Sequence, residues 1–211
     1  MGREYEIQVL DINKAQMRKK LKEIGGKRIH KEIKMYRAAF ARCNGKVRGF
    51  ARVRNEGKTT TMTVKVYDHK KYPTETEVSI KENYAAGLAF LKALNLDIKA
   101  EQETIREKWA LPIKGVHEIT FDTWPGLPSW MEVDCSTHSA LNTVISRLKI
   151  PKNKMDYGSS ARKYHQYYGV PELTINEKTP KLTFKNIHKE IKPKKNKELF
   201  KKICKEHHKL A

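Results

Sequence analysis

The sequence predicts an α+β fold in which antiparallel strands form a barrel or sandwich with three or four helices packed against it. Three observations lead there. Charged and apolar residues alternate along successive segments, the period-two signature of strands. Tight turn signals join most of these segments. The helical segments between them carry apolar faces that need a sheet surface to cover.

Taken in order, Arg3–Asp11 alternates in character and reads as a strand. Asn13 caps a helix whose Met17, Leu21 and Ile24 share one face, and Gly25-Gly26 ends it. Arg28–Arg42 holds one long strand or two short ones. Asn44-Gly45 is a two-residue hairpin turn, because both residues tolerate positive φ. Strand Lys46–Arg54 follows, then the turn Asn55-Glu56-Gly57 and strand Thr59–Asp68. Tyr72-Pro73 breaks the chain before strand Thr74–Lys81, and Asn83 caps a helix over Tyr84–Leu94. Strands Ile98–Leu111, His117–Thr123 and Ser129–Cys135 come next, the last two separated by a Pro125-Gly126 turn. Ser136–Leu148 and Ser159–Tyr168 read as helices.

Length and charge bound the function. The chain has 211 residues, enough for one globular domain and a tail. Its net charge of +20 points to a polyanionic partner. Between Lys181 and Ala211 eleven lysines face three glutamates, so the tail supplies +8 and the first 180 residues keep +12. The main domain therefore has its own reason to be basic. Cys43, Cys135 and Cys204 are sparse, odd in number and far apart, which argues for a reducing compartment and against a disulfide frame or zinc site. No apolar run is long enough for a membrane span and no signal peptide opens the chain, so a soluble cytoplasmic protein with no membrane partner is expected.

The strands carry the chemistry. One face of the first presents Glu4, Glu6 and Gln8, and the other Tyr5, Ile7 and Val9. Arg48, Arg52 and Arg54 oppose Val47, Ala51 and Val53. Thr63 and Lys65 oppose Met62, Val64 and Val66, and Glu75 and Glu77 alternate with Thr76 and Val78. Arg106 and Lys108 alternate with Ile105 and Trp109. Glu118, Thr120 and Asp122 oppose Ile119 and Phe121, and Glu132 and Asp134 oppose Met131, Val133 and Cys135. Like charges thus come in pairs on one face, which is unfavourable without a counter-ion. With helices covering the apolar face, the charges line an interior. Acidic pairs there suit hard divalent cations, and Arg/Lys pairs suit phosphate oxygens.

These motifs resemble the CYTH superfamily, the triphosphate tunnel metalloenzymes. Glu4-Tyr5-Glu6-Ile7-Gln8 stands where that family has Glu-x-Glu-x-Lys, with Gln8 in place of the lysine. Arg52-Val53-Arg54, Lys65, Glu75-Thr76-Glu77, Arg106-Glu107-Lys108, Asp122 and Glu132-Val133-Asp134 follow in the family's order, and Tyr157–Tyr168 is similar to its closing helix. The resemblance spans roughly residues 3 to 170. It implies an eight-stranded tunnel barrel over residues 1–172, with 173–211 as a basic tail. It implies that Glu4, Glu6, Glu132 and Asp134, with Glu77, hold Mg²⁺ or Mn²⁺. Gln8, Arg52, Arg54, Lys65, Arg106 and Lys108 would cradle a triphosphate. Glu75, Glu77, Glu118 and Asp122 would hold those cations in place or help to activate water. The activity implied is a metal-dependent triphosphatase acting on a nucleoside or organic triphosphate. A class IV adenylate cyclase and a non-catalytic nucleotide- or polyphosphate-binding tunnel are the alternatives.

In the tail, Lys192-Pro193-Lys194-Lys195 reads as an exposed linker, and Asn196 caps a helix with Leu199, Ile203, His207 and Leu210 along one stripe. That helix either packs on the barrel or draws a polyanion, such as an RNA 5′ end, to the tunnel mouth.

Overall fold

The computed structural model describes residues 5–41, 48–67 and 74–210. Glu4, the Asn44-Gly45 turn and the Tyr72-Pro73 break lie outside them. Eight long strands are present: β1 (Tyr5–Val9), β2 (Lys27–Ala41), β3 (Arg48–Asn55), β4 (Thr60–Tyr67), β5 (Thr74–Ile80), β6 (Ile98–Ala110), β7 (Val116–Thr123) and β8 (Trp130–Cys135). Two strands of two residues each join them, β9 (Met155–Asp156) and β10 (Lys181–Leu182). The sheet order is β5-β4-β3-β2-β6-β7-β8-β1-β9, and every neighbour along it is antiparallel. The expected α+β architecture is therefore present with its eight long strands. Closure differs from expectation: among the described residues the edge strands β5 and β9 are not hydrogen-bonded to each other. Of the segment Arg28–Arg42, the described part to Ala41 lies in one long strand, with register shifts between Arg28 and His30 and between His30 and Ile33.

Each of the first four helices starts where a side chain supplies the missing acceptor. Asn13 accepts from the Gln16 N–H ahead of α1 (Lys14–Glu23), and Asn83 from the Ala86 N–H ahead of α2 (Tyr84–Ala93). Thr137 accepts from Ala140 ahead of α3 (His138–Leu148), and Ser159 from Arg162 ahead of α4 (Ser160–Tyr168). Gly169 takes a φ of +68° to stop α4. Helices α1 and α3 cover the apolar face of β1, β7 and β8, where Met17, Leu21, Leu141, Val144 and Leu148 meet Ile7, Ile119, Phe121, Met131 and Val133. Helix α2 covers β2 and β3 through Leu91, against Ala38, Phe40, Ala51 and Val53. It lies so close that a Cβ at Gly87 would sit 2.8 Å from Val53 Cγ2.

The tail is built into this architecture. Three further helices, α5 (Glu172–Glu177), α6 (Ile187–Glu190) and α7 (Lys197–His207), follow α4. Leu182, Ile187, Ile191 and Phe200 share a core with Trp124, Leu127, Trp130, Tyr164 and Tyr168. β10 pairs in parallel with β6 at Glu101 and Gln102, just beyond Ile105, where pairing with β7 ends. The linker lysines Lys192, Lys194 and Lys195 are exposed as expected, but the Lys194 N–H donates to the Tyr168 carbonyl at 2.8 Å. The buried stripe of α7 is Phe200, Ile203 and His207, while Leu199 and Leu210 are exposed. The larger Phe200 ring wins the inner position because it meets Tyr168 edge-on at 5.0 Å. Asn196 precedes α7 but does not cap it; its amide donates instead to the Tyr167 carbonyl at 2.7 Å.

His207 gives this docking a pH signature. Its Nδ1 accepts from the Gly126 N–H at 3.1 Å, and burial depresses its pKa from 6.5 to about 4. The fold holds the neutral imidazole. Below pH 6.5 the unfolded chain takes up a proton that the folded one refuses, so this stability is present above 6.5 and lost as pH falls towards 4. The loss expected is roughly 3 kcal/mol. Denaturant melts between pH 7 and 4 check it, with His207→Gln flattening the profile.

Candidate active site

Alternation along the strands turns their charged residues to the concave side. In β1, Ile7 and Val9 go to the helix-covered core, so Glu6 and Gln8 face inward. In β8, Met131 and Val133 go outward, and Glu132 and Asp134 inward. β1–β8 pairing sets Glu6 opposite Asp134 and Gln8 opposite Glu132. The cavity on this face measures about 320 Å³ and brings together every expected site residue within the described segments: Glu6, Gln8, Arg52, Arg54, Lys65, Glu77, Arg106, Lys108, Glu132 and Asp134. Eight carboxylates and six lysine or arginine side chains line it.

The acidic end lies on β1 and β8. Gln8 Nε2 donates to Glu6 Oε1 and to Glu132 Oε2, both at 3.1 Å. Burial pushes the Glu132 carboxyl up to about 8, helped by the like charges of Glu6 and Asp122. Burial raises Glu6 as well. Asp134 lies 3.4 Å from His117 Nδ1. Arg106 joins this end. It grips Asp122 with two hydrogen bonds of 2.7 and 2.6 Å and reaches Glu118 and Glu132 at 3.3 Å each. Burial works against its charge, but Asp122, Glu132 and Glu118 outweigh it and hold the guanidinium firmly protonated. Lys108 pairs with Glu118, and Lys65 with Glu75 at 2.8 Å. Lys65, Arg106 and Lys108 are thus committed to carboxylates in this state.

The basic end lies on β2 and β3. Arg37, Arg52 and Arg54 converge there, and β2–β3 register sets Arg37 opposite Arg54. The terminal nitrogens of Arg52 and Arg54 reach Glu77 at 3.2 and 3.7 Å. Their buried Nε–H groups have no hydrogen-bond partner among the described residues. Burial and the neighbouring Arg54 push Arg52 down to about 10. Arg37 is also held well below the ordinary range, by burial and then by Arg52, Arg54 and Arg106. Glu77 belongs to this end. Burial raises its carboxyl, but a 2.6 Å hydrogen bond from Thr63 and the charges of Arg54 and Arg52 hold it below the usual value.

Several residues at the site escaped the sequence reading, Arg37 and Lys163 foremost. Arg37 sits in the long β2 segment, whose parity (Ala38 and Phe40 in the core) turns it inward. Its guanidinium lies 4.2 Å from the Trp124 ring and donates to Gln102 at 2.7 Å. Lys163 comes from α4 and touches Gln8 from behind the cavity wall. No strand pattern could have marked it.

No protein-family model and no curated protein matches this chain. Solved structures do. PH1012 from Pyrococcus horikoshii OT3 superposes with a TM-score of 0.60 at 15% identity, over 76% of this chain and 98% of its own. A Vibrio parahaemolyticus protein proposed to be an adenylate cyclase gives 0.61 at 12%, over 76% and 97%. HpAC1 of Hippeastrum, whose structure was reported with a dominant triphosphatase activity, gives 0.52 at 12%, over 79% and 95%. The chain shares the fold of these structures.

The acidic end fits a divalent cation. Among the described residues no three His, Cys, Asp or Glu side chains are clustered to hold one. Two buried carboxyls, Glu6 and Glu132, nevertheless share one end of the cavity, and Mg²⁺ or Mn²⁺ commonly needs only one or two carboxylates beside substrate phosphates. Carboxylates also outnumber basic groups in the lining, so a polyanion would enter most easily with a cation. The consequence is testable. A buried carboxyl with a raised pKa stabilises the fold below pH 4.5, and that contribution is lost as pH rises through about 8. The cation should offset the repulsion that appears, so Mn²⁺ should raise the melting midpoint more at pH 8 than at pH 6. Glu132→Gln should erase that difference.

Proposed function

We propose that this chain is a metal-dependent triphosphatase acting on a nucleoside or other organic triphosphate, with Mg²⁺ or Mn²⁺ as cofactor. The observation that carries the reading is the convergence of Arg37, Arg52 and Arg54, with two buried Nε–H groups left without acceptors among the described residues. Buried donors of that kind are costly unless a ligand meets them, and phosphate oxygens match guanidinium geometry. A second cavity of about 260 Å³ adjoins the first through Arg37, Arg52 and Trp124, and Ala39, Phe50, Tyr67 and Ala100 give it an apolar lining. It supports an organic head group on the triphosphate.

In this reading the arginines hold the phosphate chain and offset charge developing on the equatorial oxygens of the transferred group. Thr63, Glu75 and Glu77 hold Arg52 in place, and Glu118 and Asp122 hold Lys108 and Arg106. Glu6 and Glu132, with Glu4 and Asp134 nearby in sequence, would hold the cation, which supplies Lewis-acid neutralisation of phosphate charge.

The test is incubation of the full chain with ATP and Mn²⁺. ADP and phosphate are expected. Cyclic AMP and pyrophosphate would replace the reading by a cyclase, and unchanged ATP with measurable binding by a non-catalytic tunnel. All eleven lysines between 181 and 209 are exposed on the docked tail, which supports an RNA 5′ end as the natural substrate. Binding of a 5′-triphosphorylated RNA should then fall steeply with salt, while turnover of ATP changes little.

A further inference from the structure

Gln8 stands at the place where the CYTH signature has a lysine, so the cavity wall there presents an amide instead of a charge. A buried ammonium stands behind that amide. Lys163 of α4 is 0% exposed and is not part of the cavity lining. Its Nζ donates to Gln8 Oε1 and to the Gly158 carbonyl, the latter at 3.1 Å. It meets Asp156 Oδ2 at 3.3 Å and lies 4.9 Å from the Trp130 ring centre. The short strand β9 brings Asp156 there, as the register partner of Gln8.

We infer that Lys163 is a positioning residue for the acidic end: acting through Gln8, it turns Glu6 and Glu132 towards the cavity and supplies from behind the wall the positive charge that position 8 lacks. The inference rests on the reading of the cavity as a cation and triphosphate site. A side-chain amide has one accepting and one donating end, and either can point either way. Lys163 carries donors alone, so only the amide oxygen can face it. The NH₂ group is left for the two carboxylates, each 3.1 Å away. Without Lys163 the amide can flip and set its oxygen against a carboxylate. With lysine at position 8 and Lys163 retained, two ammonium groups would crowd one spot and neither would accept a hydrogen bond. Positions 8 and 163 are therefore coupled: the pairs glutamine–lysine and lysine–neutral residue both work, and the mixed pairs do not.

The experiment measures Mn²⁺ binding by calorimetry, without substrate, and binding of Mg²⁺-tripolyphosphate. The proteins are the full wild-type chain, Lys163→Met, Gln8→Lys and the double variant. Each single change should weaken both ligands at least tenfold, and the double variant should return to within about threefold of wild type. Wild-type protein that binds neither ligand would sink the triphosphate reading itself. If wild type binds and Lys163→Met binds equally well, the cavity reading stands and the role of Lys163 is wrong. Should Lys163→Met fail to fold, Gln8→Lys still decides, because it changes only the cavity wall. Equal or tighter binding in that variant overturns the coupling, as does a folded double variant that stays weak.

Discussion

Replacing Arg52 and Arg54 together by methionine should weaken Mg²⁺-tripolyphosphate binding by two to four orders of magnitude. Each guanidinium offers a buried Nε–H with no acceptor among the described residues, and a hydrogen bond to a charged group contributes about 1.5–3 kcal/mol. Two such contacts come to about 3–6 kcal/mol, and every 1.4 kcal/mol is tenfold. The change also strips Glu77 of both its cations and leaves Glu75 with Lys65 alone. The melting midpoint must therefore be read beside the affinity. Calorimetry on folded double variant decides the matter, and an affinity within threefold of wild type would remove these arginines from the phosphate site.

A chain ending at Pro180 should not fold. Its missing part contributes Leu182, Phe184, Ile187, Ile191, Phe200 and Ile203, all buried. At about 1.5–3 kcal/mol for each buried side chain, the loss is roughly 9–18 kcal/mol, as large as the whole stability of a typical domain. It also uncovers Trp124 and Trp130, which stack at 6.2 Å beside the cavity. Circular dichroism and small-substrate binding on the truncated chain check this. A cooperative melt with intact binding would show the tail to be separable. The role of its lysines is better tested by Lys→Gln changes on the exposed face of α7, which spare Phe200 and Ile203.

The strands and their inward charges were legible because parity is a local property. Once Ile7 or Val133 is assigned to a core, the fate of Glu6 or Glu132 follows from the next residue. Helix starts at Asn13, Asn83 and Ser159 were legible for the same reason, since the cap and its partner lie three residues apart. What stayed hidden depends on contacts between distant segments. β9 and β10 are two residues long and exist only because β1 and β6 offer them open edges. Lys163 looks like a solvated helix position, and only the approach of α4 to β1 makes it a buried cation. The commitment of Arg106 to Asp122 and Glu132, in place of a free phosphate contact, needed the β6–β7–β8 register.

The pairing of β1 with β8 has a consequence for biosynthesis. Glu6 leaves the ribosome early, but its register partner Asp134 is made 128 residues later. Domains fold as units, and pairings so far apart in the chain form slowly. Until β8 emerges, β1 offers unpaired backbone and its apolar Ile7 and Val9 to its surroundings, where a holding chaperone would find them. The acidic end of the cavity is thus among the last parts to be assembled, and a stalled nascent chain of about 120 residues should carry the arginine end without it.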